Sequence, residues 1–100
     1  MSALFRFDWD PEKARENVRK HGVSFEQATQ VFRDPLALTI FDEDHGGEAE
    51  ERWITVGAGE RALLIVVHTF REPSADEIAV RIISARLATT HETRQYEEGT

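Results

Sequence analysis

Along the chain the spacing of apolar and polar residues changes period, and each change marks a different kind of element. Phe5, Phe7 and Trp9 alternate with Arg6 and Asp8, the two-residue period of a short half-buried strand. Asp10-Pro11-Glu12 then reads as a helix start. Asp10 can cap, Pro11 gives up an N–H that would have no partner, and Glu12 suits the positive end of the helix dipole. This helix runs to His21, with Ala14 and Val18, joined by Asn17 and His21, predicted inward; Lys13, Arg15, Arg19 and Lys20 make its other surface basic. Gly22 stops it, where a left-handed residue is wanted. A second helix follows at once. Ser24 and Gln27 have the spacing of a capping box, flanked by Val23 and Ala28, and Phe25, Ala28, Val31 and Phe32 form one apolar face that ends at Asp34-Pro35.

Beyond Pro35 the period returns to two. Strands are predicted at roughly 36–42, 51–57, 62–70 and 77–84, separated by an acidic loop with Gly46-Gly47, by Gly57-Ala58-Gly59-Glu60 and by Glu72-Pro73-Ser74-Ala75-Asp76. Such short connections imply antiparallel neighbours. Leu63-Leu64-Ile65-Val66-Val67 is apolar on both faces and is therefore expected at the sheet centre. Thr89 and Glu92 have capping-box spacing and open a last helix to about Glu98, packed through a narrow face of Leu87, Ala88 and Tyr96. The expected class is α+β: strand, two helices, a four-stranded antiparallel meander and a helix, as one domain over residues 1–100.

Composition narrows the setting. The chain has no cysteine, which removes disulfides and thiolate metal sites and fits a reducing cytoplasm. Its start lacks the pattern of a secretory signal, and the longest apolar run, Ala62 to Val67, is too short to span a bilayer, so a soluble, cytoplasmic protein without membrane contact is expected. A net charge of −7 argues against a polyphosphate ligand. Six carboxylates (Asp42, Glu43, Asp44, Glu48, Glu50 and Glu51) nevertheless fall within ten residues, and without them the chain is close to neutral. That segment reads as a solvated loop, or as a dock for a basic partner segment.

Several segments together carry a family resemblance. They are Trp9-Asp10-Pro11-Glu12-Lys13-Ala14 with Asn17, Lys20 to Ala28, Val31-Phe32, Asp34-Pro35, Glu51-Arg52, Gly57, the apolar strand ending in His68, and Arg81-Ile82-Ile83-Ser84-Ala85-Arg86 with Ala88, Glu92 and Tyr96. No piece is specific alone, but "KHGVSF" followed by "RIISAR" is a strong combination, and over roughly residues 5 to 98 the chain resembles the BrnT toxins. The resemblance implies a RelE-like fold and ribonuclease activity that stops translation. It also implies an adjacent antitoxin similar to the ribbon-helix-helix protein BrnA, and operator DNA bound only through the toxin–antitoxin complex. Relatives often carry a basic residue after the "SAR" element and arginines in the last helix. Here Leu87 follows Arg86 and the helix is mostly neutral or acidic, which implies weaker RNA binding. The alternative function is a non-catalytic module that binds the antitoxin and acts as co-repressor.

RNA cleavage without a metal or cofactor needs a base for the 2′-hydroxyl, positive charge for the phosphorane and an acid for the leaving oxygen. Arg81, set among apolar strand residues, and Arg86, at the end of that strand, are the first choices as catalytic residues; each could instead pair with a carboxylate such as Glu92. Arg52 is a third, or half of a cross-strand ion pair, and His68 is an acid–base candidate or a half-buried polar residue. For substrate contact the candidates are Lys20 and His21 at the first helix end, Trp53 and Tyr96. Their structural alternatives are helix capping for His21, covering the sheet for Trp53 and packing the last helix for Tyr96. His21, His45, His68 and His91 have no metal-ligand spacing.

Overall fold

The computed structural model describes residues 4–43 and 51–99. Strand β1 (Leu4–Asp8) leads into helix α1 (Pro11–His21) and helix α2 (Phe25–Ala28), which tightens into a 3₁₀ turn over Thr29–Arg33. Then come β2 (Leu38–Phe41), β3 (Trp53–Ala58), β4 (Leu63–Ser74), β5 (Glu77–Leu87) and helix α3 (Thr90–Glu97). The expected acidic loop lies largely in 44–50, outside the described residues, as does His45.

The local signals act as their chemistry requires. Asp10 accepts from the Glu12 N–H, Pro11 opens α1, and Gly22 closes it at φ 70°, donating its N–H to the Val18 carbonyl. Ser24 with Gln27 and Thr89 with Glu92 form reciprocal capping boxes. The second helix is shorter than its apolar spacing suggests. Val31 in the 3₁₀ turn packs so closely on Gly57 that a Cβ at Gly57 would lie 2.8 Å from the Val31 Cβ, and the tighter winding carries Val31 into that notch.

Five strands form one sheet in the order β1-β5-β4-β3-β2, with β4 at its centre as expected. β2 to β5 make the antiparallel meander, and β1 adds a parallel edge, pairing Leu4 with Glu77 and Asp8 with Arg81. The hairpin between β4 and β5 extends to the pair Ser74 and Glu77, so β4 runs four residues past its expected end, through the Glu72-Pro73 stretch that had read as a turn. α1, α2 and the 3₁₀ turn cover one face. Phe25, Ala28 and Val31 on these elements meet Leu64, Val66, Val80, Ile82 and Ala85 from the sheet, all buried, with Phe7, Trp9 and Phe32 at the margin.

The inward face of α1 is narrower than expected. Asn17 is buried and Ala14 half-buried as predicted, whereas Val18 is 48% exposed and His21 is exposed. Leu87, expected under the last helix, is 56% exposed. Asn17 is drawn in by backbone demand. β1 ends opposite Arg81, so beyond that point β5 has no strand on that side. The Asn17 amide supplies the missing pairing: Nδ2 donates to the Ala85 carbonyl (2.8 Å) and the Val23 carbonyl (2.8 Å), and Oδ1 accepts from the Ala85 N–H (3.1 Å). Both amide hydrogens are used, and one side chain joins α1, the α1–α2 turn and β5.

Asn17→Ala leaves three backbone groups without these partners and is expected to lower stability by about 3 kcal/mol, because orphaned buried polar groups retain their desolvation cost. Asn17→Asp, which keeps the acceptor and loses both donations, is expected to be no better; urea unfolding midpoints, with exposed Arg15→Ala as control, test both.

Candidate functional site

Strand register sorts the polar side chains onto two faces. On the face covered by α1 and α2, Thr39, Thr55 and His68 form a hydrogen-bonded line from β2 to β4, with the Thr39 and Thr55 hydroxyls 2.8 Å apart and Thr55 Oγ1 2.7 Å from His68 Nε2. His68 Nδ1 lies 3.2 Å from the Thr69 carbonyl. A carbonyl only accepts, so Nδ1 carries the hydrogen and Nε2 accepts from Thr55. His68 is 2% exposed, meets Phe32 edge-on at 4.9 Å between centroids, and burial pushes its pKa down to about 4. It is thus a neutral core histidine with both ring nitrogens occupied. Trp53 shares this face, where it packs at 5.2 Å against both Phe41 and Phe70.

The opposite face carries the arginines. Its rows follow from the pairings: Val56, Ile65 and Arg86; then Ile54, Val67 and Ser84; then Thr69, Arg81 and Asp8; then Arg71, Ala79 and Arg6. Arg52 precedes Trp53, which pairs with His68, so alternation places Arg52 in the same row as Thr69 and Arg81. Arg81 and Arg86 are five residues apart and would face opposite ways in a regular strand. They share a face because β5 carries one extra residue: Val67 pairs with Ser84 but His68 pairs with Ile82, leaving Ile83 as a bulge.

The cations differ in how far they are engaged. Arg86 makes a two-armed ion pair with Glu92 (2.8 Å and 2.8 Å), and Glu92 Oε1 also accepts from the Thr89 N–H at 2.8 Å. The hydrogen bond from Arg86 holds the Glu92 carboxyl down to a pKa of about 2. Arg81 contacts Asp8 through one arm at 2.6 Å, and Arg6 contacts Glu77 at 2.9 Å. Among the described residues Arg52 and Arg71 make no ion pair. Between these side chains Ala79 forms a low floor. One depression of about 310 Å³ is lined by Asp8, Thr69, Arg71, Ala79 and Arg81, and another of about 340 Å³ includes Arg6, Phe7 and Glu77. A small residue ringed by arginines gives a phosphate room to approach the sheet.

The fold therefore brings Arg52, Arg81 and Arg86 to one face. It does not bring the other candidates there. Lys20 and His21 ride on α1 in the opposite layer, with Lys20 3.7 Å from Glu16. Tyr96 stands on α3 beside an apolar groove with Leu38, Ile40 and Val56, and its hydroxyl donates to Asp34, which also receives the Ala58 N–H. Arg6, Asp8 and Arg71 join the arginine face without having been singled out as candidates. The alternation of Arg6 and Asp8 with Phe5, Phe7 and Trp9 carried a signal for two of them, whereas Arg71 lies in the strand extension that read as a turn.

A family profile described as "Ribonuclease toxin, BrnT, of type II toxin-antitoxin system" matches residues 9–92, spanning α1 through the start of α3. The chain belongs to the BrnT toxin family. No curated protein matches it. As a BrnT toxin it is a ribonuclease toxin of a type II system, and such a toxin has a cognate antitoxin. No described helix is long and apolar enough to cross a membrane.

The depressed pKa of His68 sets a pH dependence. Its proton is disfavoured in the fold, so the unfolded chain binds more protons between about 6.5 and about 4, and stability is full above that window and falls as pH drops through it. Urea unfolding from pH 7 to pH 4 is expected to show the wild-type chain losing about 3 kcal/mol more than His68→Asn, as a shift of this size dictates. Equal losses would mean that His68 protonates freely in the folded state.

Proposed function

We propose that the arginine face binds single-stranded RNA and cleaves it without a metal, leaving a 2′,3′-cyclic phosphate. One observation carries this reading: Arg52, Arg71, Arg81 and Arg86 share a sheet face whose centre is floored by Ala79. Guanidinium groups mounted on paired strands are preorganised for the charge that grows on the phosphorane, and they need no cofactor to stabilise it. Arg81 and Arg52 flank Thr69 across neighbouring strands, a spacing of about 10 Å between outer strands that suits successive phosphates or one phosphate reached from both sides. The cognate antitoxin is a BrnA-like ribbon-helix-helix protein, and operator DNA is contacted through the complex.

A second reading has a specific observation in its favour. Arg81 and Arg86 already face carboxylates, Asp8 and Glu92, which suits a non-catalytic module that binds the antitoxin and acts as co-repressor.

Purified protein incubated with RNA in EDTA, with and without ribosomes, separates the readings. Cleavage is expected to survive EDTA and to fall on the order of 10²-fold in Arg81→Ala, the usual scale for removing one preorganised donor at a developing anion. Activity lost in EDTA would end the metal-free mechanism. Absence of cleavage and of growth arrest, with antitoxin binding intact, would favour the co-repressor.

A further inference from the structure

A ribonuclease of this kind needs a base for the 2′-hydroxyl, and the described side chains narrow the choice sharply. His68 is buried on the other face with both nitrogens engaged. His21 lies in the α1 layer, His91 stands on α3 at the Arg86 end and lines neither depression around Ala79, and the Tyr96 hydroxyl donates to Asp34. Among the described carboxylates, Asp8, Glu77 and Glu92 form ion pairs with arginines of this face. Glu92 has both oxygens occupied, by Arg86 and the Thr89 N–H. Glu77 gives one oxygen to Arg6 and the other to the Ser74 hydroxyl at 3.4 Å. Asp8 differs. Only its Oδ2 is engaged, by Arg81 at 2.6 Å, and Oδ1 accepts no hydrogen bond among the described residues. Its side chain is 67% exposed and lines both depressions around Ala79.

We propose that the depression floored by Ala79 is the subsite for the scissile phosphate and that Asp8 is the general base acting there on the ribose 2′-hydroxyl. The inference rests on the ribonuclease reading and adds to it a catalytic residue and the place of the reacting phosphate. Arg71, diagonal to Arg81 across the β4–β5 pair, holds the phosphate from one side and Arg81 from the other, since diagonal neighbours stand about 7–8 Å apart. The Asp8–Arg81 ion pair keeps the carboxylate in place while Oδ1 takes the 2′ proton. The 2′-oxygen then forms its bond to phosphorus as the bond from phosphorus to the 5′-oxygen breaks. That 5′-oxygen departs with the bonding pair and takes a proton from water, and Asp8 returns its own proton to solvent. Arg71 and Arg81 neutralise the extra charge on the phosphorane.

The groups facing Asp8 are Arg81 and Glu77 from β5, Arg71 from β4 and Arg6 on its own strand. In EDTA, kcat/KM for a short RNA is expected to rise with pH to a plateau, in proportion to the unprotonated fraction of one group. Asp8→Asn is expected to lose about 10²–10⁴-fold at neutral pH, the range of general-base contributions, and to lose that acid limb. Asp8→Glu is expected to recover part of the rate together with the limb. Binding of the 2′-O-methyl oligonucleotide of the same sequence is expected to be unchanged or tighter in Asp8→Asn, because one negative charge is gone. A variant within threefold of wild type, or a slower variant that keeps the acid limb, would overturn Asp8 as base while leaving the ribonuclease reading intact. A wild-type chain that cleaves nothing would overturn both.

Discussion

The contact on which the rest leans is the side-chain amide of Asn17 against the backbone of Ala85. A parallel edge strand that stops at Asp8 leaves the far half of β5 with backbone groups pointing at nothing, and those groups lie under α1 where water does not reach. Asn17 completes the pairing there as a peptide unit would, and its third bond holds the Val23 carbonyl, so the turn into α2 is set by the same residue. The stretch it clamps lies next to the Ile83 bulge. Bulges twist and weaken a ladder locally, and a fixed partner just beyond one keeps the remaining pairs in register. Phe25, Val31 and Ile82 can then pack on a sheet whose outline is settled.

Holding that register divides the molecule by charge. The helix-covered face keeps its polar atoms in a closed line from Thr39 through Thr55 to a neutral His68, which is how a buried imidazole avoids the cost of carrying charge. The other face joins an apolar end, with Leu38, Ile40 and Val56 beside α3, to an end that carries arginines. α3 reaches it at one end only, tied down where Glu92 accepts at once from the Thr89 N–H in the capping box of its own helix and from Arg86. The bare end is where Arg6, Arg71 and Arg81 gather around Ala79. A chain with net charge −7 can thus present a locally cationic surface, because much of its acidity is concentrated near residues 42–51.

Much of this was legible before any coordinates. The α+β class, the caps at Asp10, Ser24 and Thr89, the stop at Gly22, and the central place of the Leu63–Val67 run all follow from hydrogen bonds or burial within a few residues. The misreadings have a common cause. Val18 and His21 looked inward beside Asn17, but the helix turns Asn17 toward an unpaired strand edge nearly seventy positions away, a demand that periodicity of apolar area does not register. Glu72-Pro73 looked like a turn because the outer end of β4, from Arg71 to Ser74, is exposed throughout and carries no alternation to read.

Residue order alone thus settled what is local: where helices begin and end, which strands are apolar on one side or both, and the motifs that place the chain among the BrnT toxins. Which arginines stand together belongs to the folded sheet. Arg81 and Arg86 have the wrong separation to share a face, and only the extra residue at Ile83, seen through its pairing with β4, turns them the same way. Asp8 enters their company because β1 joins β5 in parallel, a partner drawn from the far end of the chain. Register and pairing are agreements between distant segments, made by the hydrogen bonds and packing of the whole sheet, and no short window of residues contains them.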